Sequence, residues 1–578
     1  MIIMTKYILG LMYGGQNPSA CLLKEGEIIA LVEEERFTRV KHANNIFPMN
    51  SIDYCLEIAG ISLQDIGAIA IGWDAKKFDN GDILDFFIDT LYRYKPLAKE
   101  SIEWYLKRLN NYTSENLINI LKENFKGSKL PMVEFVPHHL SHAASAFFLS
   151  GFKTANVLTI DGHGEEDCTV LWHHDGKNFK KLEQLNLPDS LGWFYTQFTE
   201  FLGFQPHDGE GKTMALAAYG KAEKNIINKV DKLIEIKGDT YKVNAGFFYS
   251  RRHEKYKSFT KKFIEEFGEP RSNESDISEY YKNLAYAVQD KLEQVVLMLV
   301  KKIYSITKDK YFCFAGGTFM NCKLNGRVAK KDFVKDLFVN PLSADNGISL
   351  GAALYAANEL GCNVSHKLRH TYYGPEYANS KIKQELDNFK DNLHFKKVEN
   401  ISEEAAKLIS QSKIIGWFQG RMEAGARALG NRSILANPLD GKAKDIVNSR
   451  VKFREMWRPF CPSVIIEDAK NYFDIKVPSE FMIIAADAKE KVAELIPSVV
   501  HVDNTVRPQE VSKDINPKYW ELIYNFGKIT KHPVILNTSF NVKNEPVICS
   551  PREAIKCFLN TDIDYLCIGD FLVSKTKK

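Results

Sequence analysis

The chain repeats one local pattern, and that repeat constrains its fold more than any other feature. "YILGLMYGG" (7–15) is an apolar run closed by glycines, and "SACLLKEGEIIALVEEER" (19–36) follows as strand, Lys24-Glu25-Gly26 turn and strand. The same order returns in "ANVLTIDGHGEE" (155–166), a strand ending at Asp161-Gly162. "CTVLWHHDGKNFKKLEQL" (168–185) is then a hairpin turning at Asp175-Gly176. Helical stretches follow each copy. Further on, "KYFCFAGGTFMNCKLNGRV" (310–328) reads as a buried strand, a Gly316-Gly317 turn and a helix, an order that brings backbone N–H groups close to a nucleotide. "VNPLSADNGISLGAALYAANELG" (339–361) places Asp345, Asn346 and Gly347 in a loop before a small-residue helix.

Two copies of a glycine-ended strand with its hairpin suggest the duplicated nucleotide-binding architecture of actin, sugar kinases and heat-shock ATPases. Any α/β protein can also hold such units by chance. After Gly361 the text "CNVSHKLRHTYYGPEYANSK" turns polar, aromatic and irregular and reads as a linker. The division expected is therefore a first domain over 1–362, a linker over 363–380 and a second α/β domain over 381–578.

A chain of 578 residues, 44% hydrophobic and 26% charged, can bury more than one core. A formal net charge of +4 over that length, with no long basic block, gives no electrostatic reason to expect nucleic acid or an anionic membrane as partner. The opening "MIIMTKYILGLMYGG" is interrupted by Lys6 and lacks the pattern of a signal peptide. No segment reaches the ~18 uninterrupted apolar residues of a spanning helix. Ten cysteines are scattered through apolar runs without a CxxC pair, as in a cytoplasmic protein with reduced core thiols. Small-molecule chemistry is the expectation.

The second half holds the densest cationic cluster. "GWFQGRMEAGARALGNRSILANP" sets Arg421, Arg427 and Arg432 among glycines, and "VKFREMWRPFCPSVI" adds Lys452, Arg454 and Arg458. Arg507 and the row "LNTSFN" (Asn537, Thr538, Ser539, Asn541) could complete a pocket for phosphate. Guanidinium forks grip phosphate through parallel N–H bonds and neutralise charge on a departing pyrophosphate. The alternative is a set of arginines with solvated heads. "VPHHLSHAASAFF" places His138 and His142 at i and i+4, on one helix face and within reach of one ion, while His139 points elsewhere. Such a pair can also serve only capping or core packing. Asp161 and Asp345, both at strand ends of the expected fold, would complete two-His plus carboxylate ligation suited to iron, manganese or zinc.

"EEERFTRVKHANNIFP", "HHLSHAASAFF", "TIDGHGEE", "DGEGKTMALAAYG", "AGGTFMNCKLNGRV", "LSADNGISLGAAL", "GARALGNRSILANP", "VKFREMWRPFCPSVI" and "LNTSFNVKNEPVICSPREA" occur in that order. Together they resemble the O-carbamoyltransferases of the NodU/CmcH family from about residue 7 to residue 573. The resemblance implies a TsaD-like domain of the actin/sugar-kinase (ASKHA) superfamily followed by a YrdC-like α/β domain. It also implies that carbamoyl phosphate and ATP, with Mg(II), form carbamoyl-adenylate in the second domain. The first domain then transfers the carbamoyl group to a hydroxyl of a small molecule, a natural product such as an antibiotic, or a sugar. Carried over by motif position, His138, His142, Asp345 and Asp161 bind the catalytic metal, Fe(II) before Mn or Zn. Gly316, Gly317 and Asn321 line the adenylate site. Lys452, Arg458, Arg507, Asn537 and Ser539 hold carbamoyl phosphate and the triphosphate, with Arg427 and Asn431 beside them.

One position departs from the pattern. Where family members commonly carry a His-Asp pair before the early small-residue strand, this chain has Gln16 and Asn17 in "GGQNPSACLL". If that pair serves as base toward the acceptor hydroxyl, Asp208 or Glu210 in "HDGEGKTM" are the replacements, although carboxylates in Gly-rich loops are commonly turn residues. A sugar-kinase-like phosphotransferase, a tRNA-modifying carbamoyl transfer and a non-catalytic scaffold are the competing classes. The acceptor stays open, and a homodimer is common for enzymes of this size.

Overall fold

The computed structural model describes residues 6–94, 109–247, 259–272 and 275–576. The chain folds into two compact units. One takes the residues through Ile29 and Asn45–Lys367; the other takes Ala30–Asn44 and the chain from Leu368 on.

The first unit is α/β and built by duplication. Strands β1 (Tyr7–Met12), β2 (Ser19–Lys24), β3 (Glu27–Glu33), β4 (Ile66–Ile71) and β5 (Met132–Phe135) form a sheet of order β3-β2-β1-β4-β5. Strands β6 (Ala155–Ile160), β7 (Asp167–His174) and β8 (Phe179–Asn186) pair in the same sense. After a small hairpin, β9 (Ile234–Lys237) with β10 (Thr240–Val243), strands β11 (Tyr311–Ala315) and β12 (Asp336–Val339) complete a second sheet, β8-β7-β6-β11-β12. In each sheet the first strand runs antiparallel to its hairpin partner and parallel to the later strand beside it. This repeated order is the duplicated actin-like, sugar-kinase-like arrangement expected from the two text copies. Strands β1 and β6 are buried along their full length, which is why both read as largely apolar, the polar Asn156 and Thr159 of β6 being buried with hydrogen-bond partners. Glu25 and Gly26 both take positive φ, the requirement of a two-residue hairpin turn.

Close packing holds the unit's helices on these sheets. Helix α1 (His138–Phe147) is crossed by a later helix, Ile348–Glu359, through small residues. A Cβ on Gly351 would lie 1.8 Å from the Ser141 carbonyl oxygen, and one on Gly10 of β1 would lie 1.9 Å from the Ser349 carbonyl oxygen. Backbone meets backbone at both points, so neither contact can be relieved by a side-chain rotation. Gly351→Ala is expected to destabilise the protein by about 1–3 kcal/mol and to displace α1, read by thermal unfolding.

The second unit centres on a mixed sheet of order β13-β23-β22-β14-β15-β21-β16-β20. Its strands are β13 (Leu393–Lys397), β14 (Ile415–Phe418), β15 (Arg432–Ala436), β16 (Cys461–Ile465), β20 (Gln509–Val511), β21 (Val534–Ser539), β22 (Tyr565–Ile568) and β23 (Phe571–Lys575). A three-stranded sheet of β17 (Phe473–Asp474), β18 (Ala486–Ala488) and β19 (Thr505–Val506) completes it. Two details differ from the expected division. The stretch 363–380 is no free tether: its residues through Lys367 belong to the first unit and those from Leu368 to the second, where Thr371 is fully buried and the Tyr372 hydroxyl donates to the Leu429 carbonyl. Residues 30–44 also join the second unit. Glu33 accepts the Gly425 N–H at 2.7 Å, Arg36 donates to the Gly425 carbonyl at 2.7 Å, and Arg39 donates to the carbonyls of Pro546 and Val547.

Candidate active site

Four side chains from three places in the first unit converge. His138 and His142 lie one turn apart on the buried helix α1, Asp161 follows β6, and Asp345 sits in the short 3-10 turn before the helix Ile348–Glu359. One ligand atom from each lies within 4.8 Å of all the others. His142 Nε2 is 2.9 Å from Asp161 Oδ2, and His138 Nε2 is 3.8 Å from both Asp161 Oδ2 and Asp345 Oδ1. The helix itself is braced. Glu165 accepts the backbone N–H of His138 at 3.1 Å and that of Asp74 at 2.7 Å. The motif "GHGEE" had carried this residue without marking its task.

The electrostatics of the cluster suit a cation. Burial opposes charge on His138, but Asp161 and Asp345 outweigh it and bring its pKa up to about 9. Burial and the neighbouring His138 take His142 down to about 4 against the pull of Asp161. Asp345 is pushed up to about 7 by burial and by repulsion from Asp161. Both ring nitrogens of His138 and Nδ1 of His142 are buried without a hydrogen-bond partner, which a structural cluster would have supplied. Two imidazoles and two carboxylates in one buried spot match the donor set of a divalent transition metal.

Gly316 and Gly317 border this cluster. Gly316 takes φ +98°, and a Cβ there would meet the Ile160 carbonyl oxygen at 2.2 Å; one on Gly317 would lie 3.0 Å from Asp161 Oδ1. Absence of side chains thus leaves backbone open right beside a carboxylate of the cluster. The Asn321 Oδ1 caps the helix Cys322–Ala329 by accepting the Leu324 N–H, and its Nδ2 donates to Gln289. Glu210 accepts from the Thr196 hydroxyl and the His207 N–H, both at 2.8 Å, so its carboxylate braces the loop before the helix Glu210–Ala217. Asp208 is exposed in that loop.

In the second unit, Lys452, Arg454, Arg458 and Arg507 gather close enough to depress one another's basicity. The Lys452 ammonium, 4% exposed, donates to the Ser539 carbonyl at 2.9 Å, the Asn541 carbonyl at 2.8 Å and the side-chain oxygens of Ser539 and Asn541, all neutral acceptors. Burial first, then Arg454 and Arg458, hold its pKa well below the ordinary lysine value. Arg454 is likewise held well down by burial and by Arg458, with Arg507 adding to it. Its Nε donates to Asn448 Oδ1 at 2.7 Å. Arg507 directs Nε and Nη2 at the Cys461 sulfur, 3.1 and 3.0 Å away, while Arg458 has Glu455 at 3.8 Å. Asn537 donates to Ser463 and Gln509 and keeps a buried Oδ1 with no hydrogen-bond partner.

Other cations of the motif are not available to phosphate. Arg432 is fully buried, lies over the Phe418 ring and donates to the carbonyls of Gln419, Gly420, Asn431 and Pro375. Arg421 donates to the carbonyls of Tyr373 and Gly374. Both were expected at phosphate and instead fasten the chain from Leu368 to the loop before β15. The Asn431 amide is spent too, between the Arg421 carbonyl and Asn516. Glu423, which no motif argument singled out, accepts the N–H groups of Leu429, Asn431 and Arg432 and so shapes the loop that carries Arg427. No spacing rule marks a residue whose three partners are backbone.

Family models match both parts of the chain: the carbamoyltransferase N-terminus over residues 7–354 and the carbamoyltransferase C-terminus over residues 406–575. The chain belongs to the carbamoyltransferase family. This carbamoyltransferase is 35% identical to an uncharacterized protein of Synechocystis sp. over 99% of its own length and 97% of that relative's. It is 35% identical to the nodulation protein NolNO of Sinorhizobium fredii, covering 96% of this chain and 78% of that one. Among solved structures it is similar to component A of the (R)-2-hydroxyglutaryl-CoA dehydratase of Acidaminococcus fermentans. That likeness is 16% identical, covers 61% of this chain and 98% of the other, and has a TM-score of 0.31. Within the carbamoyltransferase, the metal-type cluster falls in the part matched by the N-terminal model and the cation cluster in the part matched by the C-terminal one.

Proposed function

We propose that this carbamoyltransferase makes carbamoyl-adenylate in its second unit and transfers the carbamoyl group to a hydroxyl of a small-molecule acceptor, a natural product or a sugar, in its first. The observation that carries the reading is the convergence of four cations, Lys452, Arg454, Arg458 and Arg507: Lys452 and Arg454 donate to neutral oxygens, and the pKa of each is held down by burial and by the neighbouring guanidinium groups. Like charges gathered this closely are costly, and the arrangement makes sense around a polyanion. Water releases phosphate from carbamoyl phosphate, leaving carbamate. A carbamate oxygen attacks the α-phosphorus of ATP and pyrophosphate departs, its charge held by these side chains. The acceptor oxygen then bonds to the carbamoyl carbon, the bond to AMP breaks, and the hydroxyl proton leaves to a base.

His138, His142, Asp161 and Asp345 would hold a divalent metal, Fe(II) being the expected ion. Bound there, such an ion supplies Lewis-acid polarisation of an oxygen at the reacting carbonyl or phosphate. Glu165 keeps the two histidines in register by anchoring the first turn of α1. With Gln16 and Asn17 at the usual His-Asp position, Asp208 and Glu210 are the candidate bases, Glu210 also bracing its loop through Thr196 and His207.

The test is pyrophosphate release without acceptor. Pyrophosphate should form only when ATP and carbamoyl phosphate are both present, in equal amount to phosphate from carbamoyl phosphate. ADP formation that ignores carbamoyl phosphate would instead support the sugar-kinase-like reading, in which the first unit alone does the chemistry.

A further inference from the structure

We propose that Phe453 is the platform on which the second unit stacks the purine ring of ATP, a proposal that rests on the reading that ATP is activated there. Phe453 has φ +47° and is the sole Phe, Tyr or Trp with a left-handed backbone among the described residues. Such a conformation is a genuine outlier for a bulky side chain, because its Cβ crowds the following carbonyl. The strain is imposed from both sides. A π-helical turn, Val447–Val451, runs into it, the Lys452 N–H donates back to the Val447 carbonyl at 2.9 Å, and the Arg454 N–H donates to the Asn448 carbonyl at 3.1 Å. Irregular turns of this kind concentrate at functional sites.

Core packing does not explain the outlier, since Phe453 is 51% exposed and Met456, three residues on, is 44% exposed. Its two neighbours in sequence, however, are pinned cations of the proposed phosphate cluster: Lys452 by Ser539 and Asn541, Arg454 by Asn448. An exposed aromatic residue in a strained backbone, flanked in the chain by two phosphate-type cations, matches one ligand chemistry well, a polyanion joined to a flat aromatic base. The cations take the triphosphate, and the ring with Met456 offers the apolar surface that a nucleobase covers. Stacking tolerates any base, so Phe453 contributes affinity for the nucleoside part of the ligand and little discrimination between bases.

Calorimetric titration of the full chain with ATP and, separately, with tripolyphosphate tests the assignment on the wild type, Phe453→Ala, Phe453→Trp and Phe453→Gly. Phe453→Ala is expected to weaken ATP about tenfold while tripolyphosphate stays within about twofold, and Phe453→Trp to restore ATP binding. Phe453→Gly should lose ATP affinity as alanine does while its Tm holds or rises, because glycine accepts the positive φ without strain. Unchanged ATP affinity in Phe453→Ala overturns the stacking role. So does an equal loss of ATP and tripolyphosphate, which would mark Phe453 as scaffold for the cations. Wild type that binds tripolyphosphate and not ATP removes this proposal together with the reading beneath it, whereas wild type that releases carbamoyl-phosphate-dependent pyrophosphate with Phe453→Ala unchanged removes this proposal alone.

Discussion

Replacing His142 with alanine lowers carbamoyl transfer by about a thousandfold or more, while pyrophosphate release from ATP and carbamoyl phosphate continues. The magnitude follows from losing one ligand of the proposed metal site, where a bound ion would supply several kcal/mol of charge stabilisation at about 1.4 kcal/mol for each tenfold. The separation follows from the fold: His142 belongs to the first unit and the cation cluster to the second. His142 Nε2 stands 2.9 Å from Asp161, and without the imidazole the carboxylates of Asp161 and Asp345 repel with less to hold them. Metal content by elemental analysis should fall with transfer. His139→Ala is the comparison on the same helix, since His139 Nδ1 pairs with the Thr159 hydroxyl at 2.8 Å and His139 is not part of the four-residue cluster; it should keep its metal. Transfer and metal both surviving in His142→Ala would remove the cluster from the chemistry.

Arg454→Met has the opposite signature: pyrophosphate formation falls by about two to three orders of magnitude, and thermal stability holds or improves. The partly buried guanidinium feels the charges of Arg458 and Arg507, and its pKa is held down by burial first and then by those charges. A base whose folded pKa lies below its unfolded value opposes folding wherever it is charged in both states, which includes neutral pH; removing it lifts that opposition. Methionine keeps much of the volume over the Phe460 ring that Arg454 now covers at 4.6 Å. For the same reason pyrophosphate should raise the Tm of the wild type, by about 2.7 kcal/mol of stabilisation at a hundred times its Kd, and should raise that of Arg454→Met less. A variant that loses stability and keeps activity would assign Arg454 to the core. The two substitutions together divide the reaction between the units, as neither does alone.

Much of this was legible before any coordinates. The glycine-ended strand with its hairpin, written twice, foretold the repeated strand order of the two sheets, because an apolar run with glycine turns has few ways to be buried. The i, i+4 spacing of His138 and His142 put them on one helix face for the same geometric reason. Asp161 and Asp345 followed from strand ends, once the sheet was assumed. What spacing could not reveal was how individual polar groups are spent. Arg421 and Arg432 read like Arg427 in the text, yet their guanidinium groups close on carbonyl oxygens of the chain from Leu368 onward and around β15. Asn321 and Asn431 look like ligand-binding amides and serve as a helix cap and a brace. Glu165, Glu423 and Glu33 carried no signal, since their partners are backbone N–H groups supplied by distant segments or by a loop that any residue type could form.

Local order alone therefore pointed to the strands, turns and helix faces this chain would make, to the His138 and His142 pair on one helix face, and to where cations would crowd in the sequence. Those properties depend on neighbours a few residues apart. Only the tertiary structure decided which cations are spent on carbonyl oxygens, which carboxylates serve as braces, that residues 30–44 belong with the second unit, and that Phe453 is held in a strained, exposed conformation. A buried polar group must be satisfied by whatever lies next to it in space, and that neighbour can come from anywhere in the chain.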